Sequence, residues 1–362
     1  MISFARGIPA PELLPVAELA DCARAAIERD GRTILNYGAA GGYAPLRSWI
    51  AERHAVDPGR VVLTNGSLQG LAFLAGQLVP RGRVLVERPT YDRPLKLLAE
   101  LGADVTGIPL DEEGLDVDAL AAELRAGPPA SFLYTIPTFQ NPSGRTLSTE
   151  RRRRLVELAR EHELLLVEDD PYGLVRFEGE PPPTLFELAG GDGVVYGSSF
   201  SKTIAPGARV GYLVLPEGLA EAVTASATAT YITPSLVGEA AVYEFLRRGL
   251  LEPNLDKVRG ELRARRDAML AALQRELADR ASWTRPQGGY FLWLELGEGI
   301  DARELLERAE TAGVTFVPGT DFGGPSNSLR LAFSFVDVSA VTEGVARLAS
   351  LVPSSASVQL AQ

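Results

Sequence analysis

The sequence predicts an α/β protein with a mostly parallel sheet of seven strands, helices on both faces of that sheet, and a smaller α+β domain. Two observations predict this fold class. Short runs rich in β-branched and apolar residues alternate with segments of helical periodicity up to about residue 240. These runs are almost continuously apolar, which is typical of strands that are covered on both faces of a parallel sheet.

The seven predicted strands follow one another along the first two thirds of the chain. They are RVVLT (60–64), RVLVE (83–87), ADVTGI (103–108), SFLYTI (131–136), LLLVE (164–168), VVYG (194–197) and RVGYLVL (209–215). Apolar residues recur at helical spacing between most of these runs, which predicts helices over 67–79, 93–101, 116–126 and 149–162. The N-terminal segment to about Gly31 contains prolines at first and is then predicted to be helical. A Gly-rich loop, LNYGAAGGYAPLR, follows it, precedes the first strand and leads into a helix at 46–52.

The last third of the chain has fewer elements, and they come in mixed order. Helical periodicity covers 252–279, 302–313 and 338–352, and strand-like runs cover 288–296 and 328–334. This pattern predicts the smaller α+β domain. We expect a large domain at residues 33–245. The small domain is expected to combine residues 1–32 with residues 246–362, so that the N-terminal segment packs with the C-terminal part.

Composition excludes several classes of protein. The net charge of −11, from 36 basic and 47 acidic residues, argues against nucleic acid as a general partner. Cys22 is the only cysteine, so no intrachain disulfide forms. His54 and His162 have no histidine or cysteine near them in sequence, and we predict no metal site. No run of eighteen apolar residues exists and no basic stretch opens an apolar leader, so we predict a cytoplasmic protein without a membrane partner.

Polar groups follow five of the predicted strands. In open α/β sheets, ligands bind beyond the carboxyl ends of the strands. Each group alone has an ordinary structural explanation, such as a turn, a helix cap or a surface side chain. Together at one sheet edge they predict one shared ligand, and the groups are Gly66 with Ser67, Tyr91, Asn141, Asp169 with Asp170 and Tyr172, and Lys202.

The chemistry of these groups indicates which ligand they bind. The helix that opens at Ser67, together with Arg209, suits a phosphate. Tyr91 suits stacking on a flat ring, and Asp169 suits a protonated ring nitrogen. Lys202, set among small hydroxylated residues, suits a Schiff base with an aldehyde. A phosphate, a flat ring with a basic nitrogen and an aldehyde are the parts of pyridoxal 5′-phosphate.

The ordered motifs resemble the fold-type I pyridoxal-phosphate-dependent aminotransferases of class I/II, most closely the 2-aminoadipate (LysN-like) group. The motifs extend over residues 2–335 and are ISFARGIPAPELLP, NYGAAGGYAPLR, LTNGSLQGL, ERPTY, YTIPTFQNPSGRTLS, VEDDPY, GSSFSKTIAPGARVGY, RPQGGYFLWLEL and SLRLAFS. The resemblance implies the PLP-dependent transferase fold type I. It also implies an EC 2.6.1 enzyme that moves an amino group between an L-amino acid and a 2-oxo acid by a ping-pong mechanism, as a homodimer with active sites at the interface.

The resemblance also implies roles for individual residues. Lys202, Asp169 and Tyr172 would be catalytic: Lys202 would form the Schiff base and later move the proton, and Asp169 would pair with the pyridinium nitrogen. Tyr172 and Asn141 would hydrogen-bond the phenolic oxygen of the ring, and Tyr91 would stack on the ring. The phosphate and the rest of the cofactor would contact Gly66, Ser67, Leu68, Ser199, Ser201, Arg209 and, from the partner subunit, the equivalent of Tyr37.

Substrate binding is implied for Arg330, Asn141 and Gly38. Arg330 would grip the α-carboxylate of the substrate, and its place between two leucines on a predicted strand turns it toward the opposite face from them. Two alternatives stay open. One is another pyridoxal-dependent reaction, by a lyase, decarboxylase or racemase, because the motifs do not show which bond at Cα breaks. The other is a sensor module that binds the cofactor without catalysis.

Overall fold

The computed structural model describes residues 1–353 of the 362-residue chain. The helices are α1 (Val16–Ile34), α2 (Ala44–His54), α3 (Ser67–Leu78), α4 (Asp92–Glu100), α5 (Val117–Ala126), α6 (Thr149–Glu161), α7 (Leu185–Ala189), α8 (Leu219–Tyr231), α9 (Leu236–Arg247), α10 (Leu251–Leu277), α11 (Ala302–Thr311) and α12 (Val338–Ala349). Short 3₁₀ helices lie at Pro11–Leu13, Pro58–Arg60, Val79–Arg81, Gly173–Val175, Pro206–Ala208 and Gly319–Phe322.

The strands form three sheets within residues 1–353. They are β1 (Ile2–Ser3), β2 (Val61–Thr64), β3 (Arg83–Arg88), β4 (Val105–Asp111), β5 (Gly114–Leu115), β6 (Ala130–Thr135), β7 (Leu165–Asp169), β8 (Val194–Ser199), β9 (Gly211–Val214), β10 (Ala281–Trp283), β11 (Phe291–Leu296), β12 (Val314–Thr315), β13 (Val317–Pro318) and β14 (Ser328–Ala332). All seven strands predicted for the large sheet are present.

The large sheet has the order β2-β9-β8-β7-β6-β3-β4-β5. The five central strands β8, β7, β6, β3 and β4 run parallel, whereas β9 is antiparallel to both of its neighbours. The sheet is therefore mostly parallel, as predicted. It has eight strands rather than seven, because the two-residue strand β5 pairs with the end of β4. Two residues are too few to produce a recognisable apolar run.

Helices cover both faces of the large sheet because its strands are apolar on both sides. Successive residues of a strand point to opposite faces. Along β7, Leu166 packs into one hydrophobic cluster and Val167 into the other, and Val194 and Val195 of β8 divide in the same way. This alternation also determines which polar residue at the end of each strand faces which side of the sheet.

A second, antiparallel sheet of order β10-β11-β14-β13 is built from the last third of the chain. The N-terminal segment joins this region, since β1 pairs with β12 and the Ala332 N–H donates to Phe4 O at 2.7 Å. Helix α1 packs along α9 instead and so contacts the predicted large domain. The division of the chain into two domains stays a prediction. Residues 354–362 of the predicted small domain lie outside the described residues.

Three helices of the described chain, α7 to α9, are absent from the sequence prediction. Helix α7 has only five residues and is held at its start by a capping box between Thr184 and Glu187. None of the helices within residues 1–353 has both the length and the hydropathy needed to span a bilayer.

The N-terminal segment is expected to contribute substantially to stability through Phe4, which is fully buried. Phe4→Ala is expected to lower the free energy of unfolding by about 3–5 kcal/mol, because it removes a ring and leaves a cavity. Urea unfolding followed by circular dichroism measures this change. The control Val16→Ala alters a side chain that is 69% exposed and is expected to change stability by about 0.5 kcal/mol or less. Equal effects of the two variants would contradict the buried role of Phe4.

Candidate active site

The carboxyl ends of the central strands bring several predicted site residues together. A cavity of about 50 Å³ at this edge is lined by residues that include Ser67, Leu68, Tyr91 and Asp169. Lys202 lies close enough to Asp169 for each to shift the pKa of the other. The residues predicted from four separate strand ends therefore surround one region of the sheet edge.

Asp169 ends β7 and carries a free carboxylate oxygen in a buried position. Its Oδ2 accepts a hydrogen bond of 2.6 Å from the Tyr134 hydroxyl, whereas the buried Oδ1 has no partner in the described chain. Burial raises the pKa of Asp169 to about 6, although Tyr134 and Lys202 favour its charged form. An unpaired buried carboxylate oxygen is costly, so this atom suits a cationic N–H donor.

Asp170 faces the opposite side of the sheet from Asp169. Its carboxylate accepts hydrogen bonds from the Tyr196 hydroxyl at 2.9 Å and from the Gly173 N–H at 2.8 Å. Asp170 is thereby used in local structure. The alternation of side chains along the chain leaves Asp169 as the carboxylate that faces Lys202.

Lys202 lies three residues beyond β8, with its amine shielded from water. The Nζ donates to Gly7 O at 2.6 Å and lies 5.4 Å from the centroid of the Tyr290 ring. Burial, and then the positive charges of Arg330 and Arg209, lower the pKa of Lys202 to about 8, while Asp169 acts in the opposite direction. A substantial fraction of this amine is neutral near physiological pH, as a nucleophile or general base requires.

Gly7, which sequence reasoning missed, is the residue that contacts the lysine. A Cβ atom at position 7 would lie 2.4 Å from Cζ of Phe291, so glycine is needed for this close approach. Its only sequence signal is the glycine of ISFARGIPAPELLP.

Gly38, predicted to bind substrate, lines a separate cavity of about 590 Å³ with Arg29 and Leu236. The structure does not bring Gly38 together with Lys202 within one chain.

Tyr37 also lies apart from the other predicted site residues within this chain. Its side chain is 75% exposed to solvent. The sequence-based role of this residue lies across a subunit interface, and its exposure leaves the side chain free for such a contact.

A phosphate-sized anion fits where α3 begins. The helix opens after Gly66 with no side-chain cap, so no side chain occupies the backbone N–H groups of Ser67 and Leu68 at its start. Arg209 Nη2 donates to Asn65 O at 2.9 Å, beside this helix end. A Cβ atom at position 66 would lie 2.2 Å from Arg209 Nη2, which explains the glycine. Arg209 precedes β9 in a left-handed conformation (φ 54°) instead of opening the strand as predicted.

The remaining residues predicted at the phosphate flank this helix end. Ser199 is the last residue of β8, and Ser201 follows in the turn that leads to Lys202; both are buried. Leu68 lies in the first turn of α3 with a partly exposed side chain.

Arg330 is a buried cation on β14. Its Nη1 donates to Asn141 Oδ1 at 2.8 Å and its Nη2 donates to Ala5 O at 3.0 Å. The guanidinium lies 4.1 Å and 4.8 Å from the ring centroids of Phe291 and Phe322. Within residues 1–353 it forms no salt bridge, and its buried Nε has no hydrogen-bond partner. Burial lowers the pKa of Arg330 to about 10. Such a cation suits a carboxylate ligand.

Tyr172 packs beside Arg330 on the same side of the sheet edge. Its ring centroid lies 5.5 Å from that of Tyr290 and 5.8 Å from that of Phe291. Burial raises the pKa of Tyr172 well above its ordinary value, with Tyr91 acting in the same direction. The hydroxyl therefore stays protonated and able to donate a hydrogen bond.

The donor set fits pyridoxal 5′-phosphate. Asp169 offers a free oxygen for the ring nitrogen, Lys202 offers an amine with a lowered pKa, and the start of α3 with Arg209 offers N–H donors for the phosphate. Among residues 1–353 no group of three or more histidine, cysteine, aspartate or glutamate side chains is placed to hold a metal ion.

Comparison with known proteins agrees with this chemistry. The family described as Aminotransferase class I and II matches residues 11–348. The chain is 41% identical to the 2-aminoadipate transaminase of Thermus thermophilus, over 96% of this chain and 89% of that protein. It is 34% identical to Aromatic-amino-acid aminotransferase 1 of Thermococcus litoralis, over 97% of this chain and 88% of that protein.

The structure also resembles that of LysN, the alpha-aminoadipate aminotransferase of Thermus thermophilus, complexed with N-(5′-phosphopyridoxyl)-L-leucine. The TM-score is 0.92 at 38% sequence identity, covering 97% of this chain and 92% of that chain. These similarities confirm the predicted fold type I, the pyridoxal phosphate cofactor and the transfer of amino groups, and they favour transamination over the alternatives left open by the sequence. The chain belongs to the aminotransferase class I and II family of pyridoxal-phosphate-dependent enzymes.

Proposed function

We propose that Lys202, Asp169 and Tyr172 are the catalytic residues of a transamination between an L-amino acid and a 2-oxo acid. The observation that carries this proposal is the free Oδ1 of Asp169 beside a lysine whose pKa is lowered to about 8. When bound, pyridoxal phosphate supplies an aldehyde that condenses with amines and a ring that accepts the electron pair released at Cα.

Lys202 is proposed to move the proton between the substrate Cα and the cofactor carbon. A lysine with its ordinary pKa of about 10.4 is almost fully charged at pH 7 and cannot accept a proton. Burial and the charges of Arg330 and Arg209 increase the neutral fraction of the Lys202 amine. Its Nζ can then take a proton from Cα and release the proton at a second carbon within reach.

Tyr91 and the side chains at the ends of β6 and β7 are proposed to hold the cofactor ring. Asp169 Oδ1 would accept from the protonated ring nitrogen, with Tyr134 fixing the other carboxylate oxygen. Asn141 uses its Oδ1 to accept from Arg330, which leaves the Nδ2 hydrogens for the phenolic oxygen of the ring. The protonated Tyr172 hydroxyl is the second donor to that oxygen.

The phosphate is proposed to bind at the start of α3. The contacts are Gly66, Ser67, Leu68, Ser199, Ser201 and Arg209, with Tyr37 reaching across from a second copy of the chain. A homodimer is supported by the exposure of large apolar side chains, among them Leu35 (66%), Tyr37 (75%) and Ile232 (52%). We further propose that this dimer works in the cytoplasm. Each chain has one cysteine, the buried Cys22, and this agrees with a compartment in which disulfides are rare.

The substrate is proposed to bind through its α-carboxylate to Arg330, with Asn141 alongside. This common group serves both the amino acid and the oxo acid of the ping-pong cycle. The names of the relatives direct the first assays to 2-aminoadipate and aromatic amino acids as amino donors, with 2-oxoglutarate and pyruvate as acceptors.

Replacement of Lys202 tests the proposed attachment of the cofactor. After incubation with pyridoxal phosphate and reduction with borohydride, the wild-type protein is expected to carry the cofactor covalently on Lys202, as peptide mass spectrometry shows. Lys202→Ala is expected to carry none and to lose at least about a thousandfold in kcat, because it removes the proton carrier. Lys96→Ala, which alters an exposed lysine, is the control. Cofactor attached to a different lysine would contradict the assignment.

Arg330→Ala tests the proposed carboxylate site. Loss of the buried guanidinium is expected to raise the KM for both the amino acid and the oxo acid about a hundredfold, because both lose a charge-assisted contact. Steady-state kinetics with each substrate varied in turn measures this change. Arg24→Ala removes an exposed arginine and serves as the control. An unchanged KM for both substrates would remove Arg330 from the site.

The pH dependence of cofactor attachment tests the environment of Lys202. Because its pKa is lowered from 10.5 to about 8, the reactive neutral amine predominates above about pH 8. The rate of covalent attachment to the cofactor-free protein is expected to rise between pH 7 and pH 9 and then to level off. Arg330→Gln removes a neighbouring positive charge and is expected to move the midpoint upward, whereas Arg24→Gln leaves it in place. A rate that still climbs through pH 10 contradicts the lowered pKa.

A further inference from the structure

Glu87 is a buried carboxylate at the end of β3 for which the proposed chemistry has no role. It is 2% exposed and forms no salt bridge within the described chain. Its Oε1 accepts hydrogen bonds from the Thr135 hydroxyl at 2.5 Å and the Ile136 N–H at 3.1 Å. Its Oε2 accepts from Gln140 Nε2 at 2.9 Å. Three donors therefore converge on a side chain that, in its charged form, only accepts.

Gln140 is held by Glu87 in a single orientation. Its Nε2 donates to Glu87 Oε2 and also to Pro89 O, each at 2.9 Å, and its Oε1 accepts from the Ser143 N–H at 2.9 Å. Both polar ends of the amide are thus used, and rotation by 180° would break all three contacts. The backbone of Gln140 also closes the turn, since its N–H donates to Arg145 O at 2.8 Å.

The turn fixed by Gln140 carries Asn141, the residue that contacts Arg330. Asn141 directly follows Gln140 and is 3% exposed. Its Oδ1 accepts from Arg330 Nη1 at 2.8 Å. A continuous path of hydrogen bonds and one peptide link therefore runs from Glu87 through Gln140 and Asn141 to the guanidinium.

We propose that Glu87 and Gln140 are positioning residues for the substrate carboxylate: the pair fixes the turn at Asn141, and Asn141 in turn aims Arg330 at the carboxylate. Neither residue contacts the substrate or the cofactor ring in this scheme. The inference rests on the role proposed for Arg330.

The chemistry of the pair explains why a carboxylate stands at position 87. A glutamine there has nearly the same shape but brings an N–H₂ group toward either Gln140 Nε2 or the Ile136 N–H, neither of which can accept a hydrogen bond. Gln140 cannot rotate to compensate without losing Ser143 and Pro89. Burial raises the pKa of Glu87 to about 7, and the hydrogen bonds from Thr135, Gln140 and Ile136 favour its charged form. Donor–donor conflict in a buried site is costly, so the substitution displaces the turn.

A second route from Glu87 to the chemistry would give a different kinetic result. The charges of Glu87 and Asp169 lie close enough to affect each other. If Glu87 acted through Asp169, its removal would change kcat and the affinity for the cofactor. Action through Gln140 and Asn141 instead changes the KM for both substrates.

The test uses the cofactor-loaded enzyme with Glu87→Gln. The KM for the amino acid and for the oxo acid is expected to rise about tenfold each, with kcat within about twofold and an unchanged Kd for pyridoxal phosphate. The matched control is Glu239→Gln on α9, another buried carboxylate without a salt bridge in the described chain. Its Oε2 accepts from the Tyr43 N–H at 2.7 Å, a contact that a glutamine oxygen can also accept. This control is expected to leave both KM values unchanged.

If Glu87→Gln does not fold, Gln140→Met is the second test. It removes the hydrogen bond between Gln140 and Glu87 but keeps the Glu87 carboxylate and most of the side-chain volume at position 140. The same rise in KM for both substrates is expected.

Several outcomes would overturn the proposal. They are unchanged KM values in Glu87→Gln and Gln140→Met, a loss confined to kcat or cofactor affinity, or an equal rise in KM in Glu239→Gln. Arg330→Ala separates this failure from failure of the proposed function. If that variant raises KM while Glu87→Gln does not, only the positioning role is wrong. If Arg330→Ala itself leaves KM unchanged, the carboxylate site is wrong.

Discussion

The hydrogen bond between Arg330 and Asn141 is the contact on which the arrangement of this site depends. It joins a strand of the C-terminal sheet to a turn that follows a strand of the large sheet. The same guanidinium donates to Ala5 O of the N-terminal segment. Three distant stretches of chain meet at one buried cation, and two phenylalanine rings exclude water from it. A charge held in this way without a salt bridge has a strong electrostatic need for an anionic ligand.

The alternation of side chains along β7 and β8 divides polar groups between two tasks. Asp169 and Asp170 are adjacent in sequence, yet one has a free oxygen near Lys202 and the other is bound to Tyr196 and Gly173. A shift of one residue in the register of β7 would exchange them. The packing of the two hydrophobic clusters, which fixes that register, therefore also determines which carboxylate is available to the cofactor.

The sequence predicted the elements whose signal is long and local. The seven strands of the large sheet are continuous apolar runs, and Asp169 and Lys202 are conspicuous because they follow such runs. The two-residue strand β5 was missed because its pairing is decided by tertiary contact. Helix α8 was missed because small residues, as in SATAT, give little contrast between a buried and an exposed face.

Residues that act through a backbone group or within a strand were harder to predict at the site. Gly7 accepts from Lys202 through a carbonyl oxygen, which every residue possesses. Tyr134 lies inside β6, where an aromatic residue is expected in the core. Glu87 did leave a signal, because an acid that follows the apolar run RVLV is unusual, but its partner Gln140 is 53 residues away.

The N-terminal segment couples the positions of two basic side chains, Arg330 and Lys202. Ala5 O and Gly7 O, two residues apart, accept from Arg330 and Lys202 respectively. A displacement of this short stretch would therefore disturb the proposed carboxylate site and the proposed proton carrier at the same time. We therefore expect substitutions between residues 5 and 7 to change substrate affinity and turnover together. Substitutions in the turn behind Asn141 are expected to change substrate affinity alone. Changes in substrate preference are therefore less constrained in the turn behind Asn141 than in residues 5–7.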